Sequence, residues 1–265
     1  MITASGASVV YNQRRRHLLL RAQVIEHNLS ISTIYHDLKV NKDAAEIVGT
    51  MWERAVHAYL QNLPTKTTFT LKALGDYADR TLIDLIVDPA MQFSCCGSDA
   101  DFQYALTNSL ESFASCYMFP LSKTFPSVDS VALTFDTGWQ FDLFQMSIAV
   151  GVHPIKVSGL QAMQSWLKLD TILKELRPTT TSPFAISLVL PKRPSNSFRR
   201  QSLMAAKEES SSIPSKRRRT ETGSALSGDE DHLVTFWEKK IRQYVLALDE
   251  DEVFPHILDC SILTS

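Results

Sequence analysis

The sequence predicts an α/β protein in which helices cover both faces of a mixed central sheet, a three-layer α/β/α sandwich. Of the 265 residues, 44% are hydrophobic, which is enough to bury a substantial core. Segments with strand-like alternation lie in the middle of the chain, between segments whose apolar residues recur at helical spacing. Helices on both sides of a strand-rich centre favour a layered sandwich.

The N-terminal part of the chain, residues 1–42, is expected to form a polar arm followed by a helix over residues 17–28. Residues 43–61 predict a strong helix, because apolar side chains recur there at helical spacing. Asp43 is the expected N-cap of this helix. The helix is apolar around much of its circumference, so we expect it to pack on more than one side.

The middle of the chain predicts a strand, two helices and a hairpin. Residues 67–73 alternate as a strand does, whereas residues 77–86 and 100–113 are expected to be helical. Residues 128–135 and 140–150 are rich in β-branched and aromatic side chains and are separated by turn-forming residues. We expect these last two segments to pair as an antiparallel hairpin.

The last third of the chain predicts a helix over residues 158–176 and a short buried strand, bounded by prolines, over residues 183–191. Residues 192–231 are rich in Ser, Arg, Lys and Glu and have few large apolar side chains, so we expect a disordered basic insert. Residues 232–248 predict an amphipathic helix that packs on the core. The chain is thus divided into residues 1–42, a core over 43–191, the insert over 192–231, and a C-terminal helix and tail over 232–265.

Charge, cysteine content and hydropathy restrict the compartment and the partners. The net charge is −2, and four cysteines have neither the density of a disulfide framework nor metal-ligand spacing, so free thiols in a reducing compartment are expected. No apolar run approaches the roughly 18 residues of a membrane span, so no membrane partner is expected. The N-terminus lacks a recognisable secretory signal, because its charge follows a weak apolar stretch.

Basic residues cluster inside the insert. Lys216, Arg217, Arg218 and Arg219 predict a nuclear-import patch that an import receptor would bind, and an ordinary solvated charge run is the alternative. The sequence FRRQSL, residues 198–203, has a composition that suggests accessibility to protein kinases.

Polar side chains interrupt the predicted hairpin. Because side chains alternate along a strand, Gln145 and Ser147 share one face and their apolar neighbours share the other. Asp129 lies on the neighbouring strand, and on the first long predicted helix Glu53 and His57 are four residues apart and share a face. Taken singly, each has an ordinary explanation as a satisfied, half-exposed polar group or a helix residue that faces water.

The order of these residues resembles a known family. Residues 125–163, FPSVDSVALTFDTGWQFDLFQMSIAVGVHPIKVSGLQAM, are similar to the C-terminal domain shared by Crinkler effectors and retrotransposon-hot-spot (RHS) proteins. The hallmark of that domain is an Asp-bearing strand, a hairpin and a phrase of the type "lyQmTvs..Hpik..gl". The resemblance extends over residues 43–248, with gaps at the insert.

The resemblance implies a restriction-endonuclease-like core, the PD-(D/E)XK fold of divalent-metal nucleases. In that superfamily a helix Glu, a strand Asp, and a Glu or Gln followed two residues later by Lys surround the metal. Carried over by position, Glu53, Asp129 and Gln145 are the expected ligands of Mg²⁺ or Mn²⁺. The metal would polarise the scissile phosphate and lower the pKa of an attacking water.

Ser147 departs from the nuclease pattern, because a standard nuclease has Lys at this position. The resemblance implies that Lys156, at the start of the following helix, supplies the amine, with His153 as an alternative proton carrier. The implied catalytic set is Glu53, Asp129, Gln145, Ser147, His153 and Lys156.

The expected function is metal-dependent phosphodiester hydrolysis by a Crinkler/RHS-type nuclease-like domain, on DNA rather than RNA. We expect nuclear localisation, including delivery to a host nucleus as an effector. The alternatives are a catalytically degenerate nuclear effector or binding module, and an eroded remnant of a mobile-element-associated gene. The joint presence of Glu53, Asp129 and Gln145 favours the nuclease. Ser147 favours the alternatives, as does the absence from this chain of GxxxxGK(S/T), the motif of the ATPase domain expected upstream in these families.

Overall fold

The computed structural model describes residues 31–75, 82–88, 90–120, 127–135, 138–148, 154–167, 171–195, 198–205 and 228–256. The predicted α/β class is confirmed: the described strands form a large, curled, mixed sheet with helices packed against it. The predicted helix over residues 17–28, His153 and the basic patch at residues 216–219 lie outside these ranges. No described helix has the length and hydropathy needed to cross a membrane.

The helices are α1 Ile31–Lys39, α2 Ala45–Gln61, α3 Asp99–Ser112, α4 Val157–Trp166, α5 Thr171–Glu175, α6 Lys192–Ser195, α7 Gly228–Glu238 and α8 Glu250–Val253. The strands are β1 Thr67–Leu74, β2 Leu82–Val87, β3 Gln92–Cys96, β4 Cys116–Pro120, β5 Ser130–Phe135, β6 Trp139–Met146, β7 Ile155–Lys156, β8 Phe184–Pro191, β9 Leu203–Met204 and β10 Ile241–Leu248.

The large sheet has the strand order β2-β1-β10-β8-β6-β5-β4-β3. Strands β10, β8 and β6 are parallel neighbours, so their carboxyl ends lie at the same edge of the sheet. Strands β4, β5 and β6 form an antiparallel meander. The short strands β7 and β9 pair with each other in a separate parallel ribbon.

Apolar side chains on the two faces of the sheet pack against different helices. One face carries Phe144 and packs on α2 through side chains such as Trp52. The opposite face carries Leu143 and Ile186 and packs on α3, α4 and α7 through side chains such as Trp166. The register of β6 is therefore fixed by burial, because a one-residue slip would exchange the two faces.

The strongest local patterns are confirmed. Helices α2 and α3, the β5–β6 hairpin and strand β8 form where they are predicted. The predicted cap is wrong in detail, because Ala44 occupies the N-cap position of α2 and no side chain caps this end. The helix predicted over residues 158–176 is divided into α4 and α5. The structure adds α1, β3 and β4, which the sequence analysis does not predict.

The helix predicted over residues 77–86 is wrong, because strand β2 occupies Leu82–Val87 and pairs antiparallel with β1. The sequence LIDLIV is a short apolar run rich in β-branched residues, and such a run is compatible with a helix or a strand. Pairing with a neighbouring strand, which periodicity cannot reveal, decides between them.

The helix predicted over residues 232–248 is also wrong beyond its first part. Helix α7 ends at Glu238, and β10 runs through Ile241–Leu248 at the centre of the sheet, between β1 and β8. A central strand is buried on both faces and therefore lacks the clean alternation of a surface strand. The spacing of its apolar residues consequently resembles the spacing in an amphipathic helix.

The first part of the insert predicted over residues 192–231 is not disordered, because residues 192–195 and 198–205 pack on the core. Phe198 and Leu203 are buried. The side-chain amide of Gln243 in β10 forms two hydrogen bonds with the backbone of Gln201, accepting from its N–H at 2.7 Å and donating to its carbonyl at 2.8 Å. Two apolar anchors and one amide clamp therefore hold a segment of polar composition.

Candidate functional site

Asp129 lies where β5 begins and β6 ends. Its backbone N–H donates to the carbonyl of Phe144 at 2.7 Å, although Phe144 is also the register partner of Ser130. Two consecutive residues thus oppose one, the arrangement of a β-bulge, which re-aims a side chain at the end of a strand. The carboxylate Oδ2 of Asp129 accepts a hydrogen bond of 2.6 Å from the backbone N–H of Met146.

Gln145 immediately precedes Met146 and pairs in register with Leu188 of β8. Its side-chain oxygen Oε1 is buried and has no hydrogen-bond partner in the described part of the chain. A buried polar atom without a partner costs free energy, commonly about 1–3 kcal/mol, and such an atom in a native protein calls for a reason such as a bound ion or a catalytic role. The side-chain oxygen of Gln145 could therefore bind a ligand.

Glu53 lies on α2, one helical turn before His57, and the Glu53 Oε1 to His57 Nε2 distance is 4.0 Å. The other ring nitrogen of His57, Nδ1, is within hydrogen-bond distance of Tyr117 Oη (2.9 Å), and Tyr117 Oη is 2.6 Å from Ser130 Oγ. A buried polar chain thus connects α2, β4 and β5. Nε2 of His57 ends this chain without a hydrogen-bond partner among the described residues.

The protonation of this chain follows from burial. Desolvation lowers the pKa of His57 to about 3, and the positive charge of Arg54 acts in the same direction. His57 is therefore neutral at physiological pH, and its contact with Glu53 is not an ion pair. Ring stacking on Phe119, with centroids 4.9 Å apart, fixes the plane of the imidazole.

The hydroxyl of Tyr117 contacts His57, one helical turn after Glu53, and Ser130, which follows Asp129. Burial is the main cause of the raised pKa of Tyr117. The hydrogen bond with Ser130 opposes this effect, and the negative charges of Asp129 and Glu53 reinforce it. Tyr117 therefore keeps its proton and can donate the hydrogen bond of its hydroxyl to His57 or Ser130.

Gln145 has a different orientation from Glu53. Helix α2 packs on the face of β6 that carries Phe144 and Met146, and alternation turns Gln145 towards the opposite face. The structure thus places the Asp129 carboxylate next to the backbone at Gln145 and Met146, but it does not gather Glu53, Asp129 and Gln145 on one face. In the described ranges no three His, Cys or carboxylate side chains converge closely enough to hold a metal ion.

Two other predicted residues, Ser147 and Lys156, belong to the described part of the chain. Ser147 is buried, and its backbone N–H donates to Val189 of β8 at 3.1 Å. Lys156 ends β7 with an exposed side chain, and its carbonyl accepts a hydrogen bond of 2.6 Å from Ser127 Oγ. The structure therefore fixes the backbone of Lys156 while leaving its amine in solvent.

Sequence reasoning missed Tyr117 and Ser130. Tyr117 belongs to β4, and the only local signal of that strand is the short run CYMF after the predicted helix of residues 100–113. Ser130 follows Asp129 directly, but its role depends on a neighbouring strand. Both become visible only when strand pairing is known.

A separate pocket of about 810 Å³ opens at the carboxyl ends of β8 and β10. Its charged lining is largely self-compensating, because Lys39 contacts Glu250 and Lys192 lies 3.7 Å from Asp249. This pocket therefore offers no strong net attraction to a polyanion. It is lined by His36, Lys39, Val40, Lys192, Arg193, Asp249, Glu250 and Asp251.

No family model, no curated protein and no solved structure matches this chain.

Proposed function

We propose that this chain is a nuclease-like domain that acts on nucleic acid, DNA in preference to RNA, by metal-dependent phosphodiester hydrolysis. The observation that carries the proposal is the buried side-chain oxygen of Gln145, which has no hydrogen-bond partner among the described residues and lies at the end of β6, where the Asp129 carboxylate meets the N–H of Met146. A restriction-endonuclease-like core is part of the proposal. It is supported by the hairpin β5–β6, followed by helix α4 and by strand β8 parallel to β6.

The donor atoms at this site suit a hard divalent cation. Carboxylate and amide oxygens are the ligands that Mg²⁺ and Mn²⁺ prefer. Asp129 and Gln145 would hold the cation at the end of β6. Glu53 lies on α2, which packs on the opposite face from Gln145, and would join them only after a rearrangement of the site. When bound, the cation would polarise a scissile phosphate and lower the pKa of an attacking water.

The remaining residues act around this centre. The neutral imidazole of His57 positions Tyr117 through the 2.9 Å contact between Nδ1 and the phenol oxygen. Lys156 supplies the positive charge that stabilises the transferring phosphate, in place of the lysine that Ser147 replaces. The fixed backbone of Lys156 limits where its amine can reach.

A catalytically degenerate effector or binding module is the second candidate. It is favoured by the engagement of Asp129 Oδ2 with the backbone N–H of Met146 and by the turn of Gln145 away from α2. In this reading Asp129 is a structural cap at the end of β6. The two candidates differ in whether purified protein cleaves nucleic acid.

We also propose that the domain acts in the nucleus through the basic run Lys216–Arg219. Replacing these four residues with alanine in a tagged protein should move it towards the cytoplasm. An unchanged distribution would remove import from their roles.

Cleavage of single- and double-stranded DNA and of RNA tests the proposal, with Mg²⁺, with Mn²⁺ and with a chelator. Wild type should cleave only with metal. Asp129→Asn should lower the rate by roughly 100-fold, the scale of losing one electrostatic contact to a transition state. Asp84→Asn is the matched control, because Asp84 is exposed on β2, at the far edge of the sheet, and it should keep wild-type activity.

Ser147→Lys distinguishes the two candidates, because it restores the lysine that the nuclease pattern has two residues after Gln145. Cleavage by Ser147→Lys alone would assign the natural protein to the degenerate class. Failure of every folded variant to cleave would contradict the nuclease proposal.

A further inference from the structure

The segment that contains β9 carries a motif for an arginine-directed protein kinase. Arg199 and Arg200 lie three and two residues before Ser202, and Leu203 follows it. The side chains of both arginines and of Ser202 are exposed. Kinases of this class recognise arginines at these two positions through their own carboxylates and favour an apolar residue after the acceptor.

Ser202 is adjacent to the strand that carries Lys156. Strand β9 pairs parallel with β7, with Leu203 opposite Ile155 and Met204 opposite Lys156. The carbonyl of Ser202 accepts a hydrogen bond of 3.0 Å from the N–H of Ile155. Leu203 and Ile155 are buried, whereas Ser202, Met204 and Lys156 are exposed, so these three side chains share the outer face of the ribbon.

We propose that Ser202 is a phosphorylation site and that its phosphate binds Lys156. A strand spacing of about 4.8 Å and a two-residue rise of about 6.6 Å put the two Cα atoms roughly 8 Å apart. A lysine side chain spans that distance to a phosphoserine. The phosphate adds a charge of about −1.5 to −2 at neutral pH and three acceptor oxygens, which a lysine ammonium pairs with.

The modification itself needs ATP and a protein kinase. The Oγ atom of Ser202 attacks the γ-phosphorus of ATP, and the bond from that phosphorus to the β–γ bridging oxygen breaks. ADP leaves, and the hydroxyl proton passes to a carboxylate of the kinase. The resulting ion pair holds the Lys156 amine on the ribbon, so phosphorylation slows cleavage. This last consequence rests on the proposed function.

Access to Ser202 is controlled by Gln243. A kinase binds its substrate as an extended peptide, but here the backbone N–H and carbonyl of Gln201 are both bonded to the Gln243 amide and Leu203 is buried. The segment must therefore detach from Gln243 and expose Leu203 before it is modified, and the rate of phosphorylation reports that local opening.

The first experiment treats the full chain with ATP and the catalytic subunit of cyclic-AMP-dependent protein kinase and locates phosphate by site-resolved mass spectrometry. Wild type should acquire phosphate on Ser202, and Ser202→Ala should lose that signal alone. Replacing Arg199 and Arg200 with alanine should slow the reaction about tenfold, the effect of about 1.4 kcal/mol. Gln243→Leu should accelerate it. Absence of phosphate from Ser202 in wild type, while a peptide of residues 196–206 is modified, would overturn the proposal.

The second experiment follows the phosphoserine by phosphorus NMR during a pH titration. Pairing with Lys156 should lower the second pKa of the phosphate in wild type relative to Lys156→Ala. Lys192→Ala, which removes an exposed lysine of α6, should leave that pKa unchanged. Equal values in wild type and Lys156→Ala would refute the ion pair whether or not the protein is a nuclease.

The cleavage assay then tests the regulatory consequence. Phosphorylated wild type should cleave more slowly than the unmodified protein, and Ser202→Ala should keep the unmodified rate after kinase treatment. If unmodified wild type does not cleave, the proposed function fails and the regulatory role with it, whereas phosphorylation and the pKa shift stand on their own readouts.

Discussion

The Asp129 carboxylate accepts a hydrogen bond of 2.6 Å from the backbone N–H of Met146, across the mouth of the β5–β6 hairpin. Hydrogen bonds to charged groups contribute about 1.5–3 kcal/mol each. We therefore expect Asp129→Ala to lower the free energy of unfolding by about that amount, and Asp129→Asn, which keeps an acceptor oxygen, to lower it less.

Urea unfolding of the two variants measures this difference. Equal stability of Asp129→Ala and wild type would show that the hydrogen bond does not hold the end of β6. The result also identifies which substitution is suitable for activity measurements, because a loss of cleavage in a fully folded Asp129→Asn variant cannot be attributed to unfolding.

Tyr117 links His57 to Ser130, so its hydroxyl should contribute more to the free energy of unfolding than the hydroxyl of a surface tyrosine does. Tyr117→Phe leaves Nδ1 of His57 and Oγ of Ser130 without their partner, and an unsatisfied buried group costs about 1–3 kcal/mol. The loss should show in chemical unfolding.

Tyr104→Phe is the control for this change, since Tyr104 is 74% exposed and its variant should unfold as wild type does. A double-mutant cycle with Ser130→Ala should give non-additive losses, because both changes break the same contact. Strictly additive losses of unfolding free energy would contradict the hydrogen-bonded series His57–Tyr117–Ser130.

Asp142 predicts a distinct pH dependence. Burial raises its pKa from the ordinary value of 3.8 to about 6, against the opposing effect of a hydrogen bond from Gln140 Nε2 (3.0 Å). A carboxyl group with a raised folded-state pKa binds its proton more tightly when folded. The stabilisation that the protonated Asp142 contributes to the folded state is therefore fully present below about pH 4 and is lost as the pH rises through about 6.

Asp142→Asn removes the buried charge and keeps an oxygen for Gln140. We expect the free energy of unfolding near pH 7 to rise by up to about 3 kcal/mol, at about 1.4 kcal/mol per pKa unit. Unfolding measured near pH 4 and near pH 7 should show a smaller difference in the variant than in wild type. An unchanged difference would contradict the raised pKa, and Asp84→Asn controls for the loss of an exposed carboxylate.

Part of this fold could be predicted because its signals are local. The β5–β6 hairpin combines alternating β-branched residues with turn chemistry, and helix α2 has an unambiguous helical period. Strand β10 could not be recognised, because IRQYVLAL is packed on both sides and its register partners, such as Phe184 opposite Ile241, are remote in sequence. The position of a strand inside a sheet is a tertiary property.

The candidate site likewise combines residues that local sequence patterns indicate with arrangements that only the tertiary structure reveals. Asp129, Gln145 and Glu53 are proposed from motif resemblance, whereas the bulge that aims Asp129 and the alternation that turns Gln145 from α2 depend on strand pairing. The Gln243–Gln201 clamp joins residues 42 positions apart, and polar composition alone gives no sign of it. Long-range hydrogen bonds of this kind explain why residues 198–205, the first part of a segment predicted as disordered, pack on the core.

Binding of Mn²⁺, followed by the electron paramagnetic resonance signal of the free ion, tests the central claim most directly, because it does not depend on turnover. Wild type should bind Mn²⁺, Asp129→Asn should weaken binding by about tenfold or more, a loss of at least about 1.4 kcal/mol, and Gln145→Leu should weaken it as well. Asp84→Asn should bind as wild type does. If wild type leaves all Mn²⁺ free, or if Asp129→Asn binds it equally tightly, Asp129 and Gln145 do not form a metal site.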